Sequence, residues 1–153
     1  MNSCKAKKYQ LARKEVLGMN KMNEKKILIV DDERDALFIL EKELIARGYS
    51  IVATDNGREA LDLAKSEHPD LIILDIWMPD MDGSELAARL KEDLITKDIP
   101  IIFLTCLLQR REGEEQGRVV AGNVLIAKPY DIRALSTEIR RLLTDPSNLH
   151  AKS

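Results

Sequence analysis

Five side chains in this chain have the types and spacing to do chemistry together: Asp31, Asp32, Asp75, Thr105 and Lys128. Each stands directly after a short apolar run. Asp31 and Asp32 follow Ile27–Val30 (ILIV), and Asp75 follows Leu71–Leu74 (LIIL). Thr105 follows Ile101–Leu104 (IIFL), and Lys128 closes Val124–Ala127 (VLIA). Three carboxylates drawn into one crevice repel one another, and their pKa values rise unless a positive charge resolves the conflict. An oxygen-seeking divalent cation does so. Mg²⁺ suits a few carboxylates completed by water and phosphate oxygens. With a hydroxyl and an ammonium added, the set reads as a phosphoryl-transfer site. Asp75 is the nucleophile, a metal neutralises phosphoryl charge, and Lys128 and Thr105 take the other oxygens. Singly, each residue has a plainer reading: acids capping strand ends, a β-favouring threonine, a snorkelling lysine. Three acids at adjacent strand ends are harder to explain that way.

That convergence depends on the elements behind the residues. A fifth apolar run, Ile51–Ala53 (IVA), joins the four above, and most are continuous rather than alternating, as in parallel strands covered on both faces. Helical patterns lie between them. Leu37, Leu40 and Leu44 form a stripe that Gly48 stops, and Asn56-Gly57 opens a segment with Leu61 and Ala64 inward. Ser84 is placed to cap a helix with Leu86 and Leu90, and Asp131 one with Ile132, Leu135, Ile139 and Leu142. Gln109–Gly122 carries Gly113 and Gly117 and is expected to be a short or frayed helix. The alternation predicts a doubly wound α/β domain over about residues 25–145, with a five-stranded parallel sheet in the order 2-1-3-4-5. In that order the first and third strands are neighbours. Ligands then sit where their carboxyl ends diverge.

The four motifs "ILIVDDE", "LDIWMPDMDG", "LT" and "KP", in that order and spacing, resemble the receiver domain of two-component response regulators, which has a flavodoxin-like fold. The resemblance implies a signalling phosphoacceptor, not a conventional enzyme, that supports its own phosphorylation and dephosphorylation. It implies that Asp75 takes a phosphoryl group from a histidine kinase or phosphotransfer protein. It also implies that Asp31, Asp32, Asp75 and the backbone carbonyl of Trp77 bind Mg²⁺, that Glu33 points away, and that Lys128–Pro129 is cis. This chain departs from the pattern in three places. Leu125 stands where an aromatic switch residue is usual, Cys106 where a small residue is usual, and "VVAGN" replaces an acidic turn. Any rearrangement on phosphorylation is therefore expected to be modest and centred on Cys106–Gly122.

Charge divides the chain. Residues 1–26 carry eight Lys or Arg against two Glu, and the rest is acidic, although the whole 153-residue chain is only −2. Residues 1–24 read as a basic extension: a solvated tail, a helical arm, or an arm for nucleic acid or anionic lipid. They also admit an upstream start assignment, because codons for Lys14-Glu15-Val16 can resemble a bacterial ribosome-binding site ahead of Met19 and Met22. Residues 146–153 read as a short tail. The chain is thus expected to stand alone without a DNA-binding output domain, signalling to a downstream protein. Two cysteines form no disulfide framework, and no apolar run reaches membrane-spanning length, so a cytoplasmic location without membrane contact is expected. Two other classes compete. A haloacid-dehalogenase-type phosphatase needs an Asp-x-Asp spacing that "VDDE" lacks. A receiver that binds partners without phosphate would not need the complete acid, Thr and Lys set.

Overall fold

The computed structural model describes residues 24–78, 82–106, 118–120 and 123–144. The expected basic extension, apart from Glu24, and the expected tail lie outside these residues, as does most of the Cys106–Gly122 connection. Strand β1 (Lys26–Val30) is followed by helix α1 (Arg34–Ala46), β2 (Ser50–Thr54), α2 (Gly57–Glu67), β3 (Leu71–Asp75) and α3 (Gly83–Glu92). Then come β4 (Ile101–Thr105), β5 (Arg118–Val120), β6 (Asn123–Ala127) and α4 (Ile132–Thr144).

Five strands run parallel in the order β2-β1-β3-β4-β6, which is the expected 2-1-3-4-5 arrangement. The sheet has a sixth strand that was not expected. β5 pairs antiparallel with β6 at the edge, Val120 opposite Asn123 and Arg118 opposite Leu125. The expected helix over Gln109–Gly122 is thus wrong for residues 118–120, and its other residues lie outside those described. The reason is local: adjacent valines favour a pleated strand over a helix.

Every residue of β2, β3 and β4 is buried, which accounts for their unbroken apolar runs. Alternate residues feed two cores. Ile27, Ile29, Ile73 and Leu104 pack with Leu37, Leu40 and Leu44 of α1 and Leu135, Ile139 and Leu142 of α4. Leu28, Val30, Leu74 and Phe103 pack with Ala60 and Leu63 of α2 and Leu86 and Leu90 of α3. Gly48, at φ +103°, ends α1 in the left-handed conformation that glycine tolerates. The segment opens at Asn56-Gly57 as expected, and Asn56 caps α2, its side-chain oxygen accepting from the Arg58 N–H at 2.9 Å. The Asp131 carboxylate accepts from the Arg133 N–H at 2.8 Å. Ser84, expected to cap α3, does not; Asp82 does, accepting from the Ser84 N–H at 2.9 Å. The acid is the stronger acceptor, and it sits one residue before the helix proper.

Gly83 is fixed by contact. Its N–H donates to the Ile76 carbonyl at 2.9 Å, and a Cβ there would meet the Asp75 carbonyl oxygen and lie 2.8 Å from the Ile76 Cα. Both obstacles are backbone, so α3 would have to retreat from the end of β3. Gly83→Ala is expected to cost about 2–3 kcal/mol, as overpacking does. Chemical denaturation would measure it, and a loss below about 0.5 kcal/mol would contradict so tight a seat.

Candidate functional site

The strand register brings the predicted residues together. Val30 pairs with Leu74, so Asp31 and Asp75 leave the sheet at the same level on neighbouring strands. Asp75 pairs with Leu104, which sets Thr105 one residue further along, and Thr105 pairs with Ala127, just before Lys128. The Lys128 N–H donates to the Thr105 carbonyl at 2.9 Å, tying the ends of β4 and β6. The Asp31 N–H donates to the Thr54 carbonyl at 3.3 Å and does the same for β1 and β2. The Lys128–Pro129 peptide is cis, as expected.

Asp31 and Asp75 are held alike. One oxygen of each closes a turn on its own backbone: Asp31 accepts from the Glu33 N–H at 2.9 Å, and Asp75 from the Trp77 N–H at 3.1 Å. The other oxygen of each faces Lys128 Nζ, at 2.9 Å for Asp31 and 3.4 Å for Asp75. Asp31, Asp75 and Thr105 are buried, at 4%, 7% and 1% exposure, whereas Asp32 is exposed. A carboxylate oxygen from each of Asp31, Asp32 and Asp75 lies within 4.8 Å of the others, and the Glu33 carboxylate is outside this group.

Burial, then the Asp31 charge, pushes the Asp75 carboxyl up to about 6, against Lys128 and the Trp77 N–H, which pull it down. Burial also works against the Lys128 ammonium. The hydrogen bond and charge of Asp31, joined by those of Asp75, outweigh it and hold that group above its ordinary value. Lys128 therefore stays charged, yet one ammonium does not neutralise three acids. The donor set is all oxygen, compact and overcharged, and it fits a hard divalent cation such as Mg²⁺.

Two features were not singled out in the sequence. A groove of about 540 Å³ opens beside Lys128, lined by residues that include Asp31, Ile39, Leu40, Cys106, Pro129 and Tyr130. On α1, Phe38 and Ile39 are 50% and 55% exposed, with the Lys42 ammonium 4.3 Å over the Phe38 ring. A signal was available: both lie off the Leu37, Leu40 and Leu44 stripe, so a helix buried along that stripe must leave them outside. Leu125 is half-buried. With Phe103 and others it lines a cavity of about 340 Å³ on the α3 side of the sheet. Cys106 is a free, exposed thiol. Among the described residues no helix is long and apolar enough to cross a membrane.

Comparisons with known proteins place the chain in a family. The chain is 39% identical over 130 residues to a probable transcriptional regulator, ycf27, of Cyanophora paradoxa, covering 83% of this chain and 52% of that protein. It is 34% identical over 121 residues to the polar-differentiation response regulator DivK of Brucella ovis, covering 79% of this chain and 98% of that protein. The chain spans between 9% and 52% of the first curated relatives it matches. Among solved structures, the chemotaxis response regulator CheY4 of Vibrio cholerae superposes with a TM-score of 0.67 at 30% identity, over 79% of this chain and 100% of that one. The family model described as "Response regulator receiver domain" matches residues 27–140, so the chain belongs to the response regulator receiver family.

Proposed function

We propose that this chain takes a phosphoryl group on Asp75 from a histidine kinase or phosphotransfer protein, in a Mg²⁺-dependent reaction, and signals by protein contact or by relaying the phosphoryl group. The acting unit is residues 25–145, with the basic extension and the short tail outside it. The observation that carries this reading is the position of the Lys128 ammonium, 2.9 Å from Asp31 and 3.4 Å from Asp75, at the ends of strands β1, β3 and β6. A cation between two buried acids marks a place where negative charge is managed, and a phosphoryl group adds more of it.

The Asp75 oxygen facing Lys128 attacks phosphorus as the bond to the donor's imidazole nitrogen breaks, and that nitrogen leaves carrying a proton from solvent. The products are an acyl phosphate on Asp75 and a neutral histidine. Lys128 transfers its hydrogen bond from the carboxylate to a phosphoryl oxygen, and the Thr105 hydroxyl donates to another. Asp31, Asp32, Asp75 and the Trp77 carbonyl would hold Mg²⁺, which supplies charge neutralisation at the phosphoryl oxygens when bound. Hydrolysis of the acyl phosphate resets the site. The exposed Phe38 and Ile39 of α1, the helix that begins three residues after Asp31, support contact with a protein donor.

Intact-mass measurement after incubation with acetyl phosphate and Mg²⁺ tests this. One phosphoryl group per chain is expected, and none when Mg²⁺ is chelated. Labelling that is indifferent to chelation would sink the metal-dependent step.

A further inference from the structure

The Trp77 side chain is left over once the chemistry is assigned, since only the backbone of this residue serves the metal site. Trp77 is the only tryptophan of the chain, and it is 62% exposed. An indole ring in water forgoes the burial that such rings otherwise contribute, and exposed aromatic residues beside a functional site are frequent interface anchors. Its backbone is pinned, because the Trp77 N–H donates to Asp75 Oδ1 at 3.1 Å. The ring is therefore carried on main chain tied to the phosphoacceptor itself. Asp75, Asp31 and Thr105 are all less than a tenth exposed. A protein that hands a phosphoryl group to Asp75 must reach into this crevice and lay its own surface over the rim where Trp77 stands. A small donor such as acetyl phosphate enters without covering that rim.

We propose that the Trp77 side chain is a specificity-determining contact for a protein phosphodonor: the ring is covered by the donor's surface during transfer and favours protein donors over small-molecule donors. This rests on Asp75 being the acceptor. Continuity with the crevice selects this occupant. A downstream partner could bind any face, but a phosphodonor has to bind here.

The test compares the full wild-type chain with Trp77→Ala and Trp77→Phe. One donor is acetyl phosphate. The other is an autophosphorylated histidine-kinase core, chosen from those of the source genome as the fastest to label the wild type. The quantity read is the ratio of kcat/KM for the kinase core to that for acetyl phosphate, at saturating Mg²⁺. Trp77→Ala is expected to lower this ratio by at least about tenfold, the size of an interface anchor. The loss should fall mainly in KM for the kinase core, and Trp77→Phe should recover most of it. A ratio within about twofold of wild type overturns the proposal. That holds if both rates fall together, which would mark a role in the fold or metal site, and equally if neither falls. No label on the wild type from either donor would sink the acceptor reading and this contact with it.

Discussion

An Asp75→Asn variant is expected to take no label from acetyl phosphate or a phosphorylated kinase, yet to be more stable than the wild type in metal-free buffer at neutral pH. The first result follows because an amide is too weak a nucleophile to displace the phosphoryl donor. The second follows from linkage. The Asp75 carboxyl is raised from 3.8 to about 6 by burial and by Asp31, so the folded state binds its proton more tightly than the unfolded chain does. Stability from this group is fully present below about pH 4 and is lost as pH rises through about 6. Above that, the buried charge costs the fold roughly 1–3 kcal/mol. Asn removes the titration. The variant should therefore gain several degrees in Tm at pH 7.5 and lose most of that advantage at pH 4. Saturating Mg²⁺ should reverse the order, since it stabilises the wild type more. Thermal scans at both pH values, with EDTA or Mg²⁺, would settle it. Equal Tm values at pH 7.5 without metal would mean that Asp75 carries no such burden.

Asp32→Ala should separate metal binding from folding. Asp32 is exposed and supplies one of the three carboxylates that lie within 4.8 Å of each other, so its loss should cost the fold little and the metal much. Mg²⁺ affinity is expected to fall at least about tenfold, the lower end for disturbing a metal's ligand shell. Phosphorylation at fixed, subsaturating Mg²⁺ should fall by a similar factor and recover partly at high Mg²⁺. Trp77 provides the readout, being the only tryptophan and two residues from Asp75. A fluorescence titration that overlays the wild-type curve would remove Asp32 from the site.

Asp31, Asp75, Thr105 and Lys128 were legible because each ends a strand whose apolar run announces it, and strand order then sets them side by side. The Asp82 cap was harder to see, since Asp82 and Ser84 both have side chains that suit a helix start. β5 was hidden for a different reason. Three residues give almost no periodicity, and the two glycines upstream argued for a poor helix rather than for a hairpin arm. Gly83 closes the motif "LDIWMPDMDG", but why it is glycine was not legible there, because its necessity comes from main chain seven and eight residues earlier. The groove beside Lys128 is assembled from α1, β4 and the segment after β6, and no single stretch encodes it.

The Lys128–Asp31 ion pair also has a consequence in time. It joins residues 97 apart, and the Lys128–Asp75 pair joins residues 53 apart. Parallel strands with helical crossovers gain no local pairing to offset the entropy of closing such loops, so chains of this topology pair late. During synthesis Asp31, Asp32 and Asp75 all leave the ribosome before Lys128 exists to balance them. A nascent chain, or one cut before β6, carries the acids without their cation. Under the proposed function, competence to accept a phosphoryl group therefore waits for the last strand.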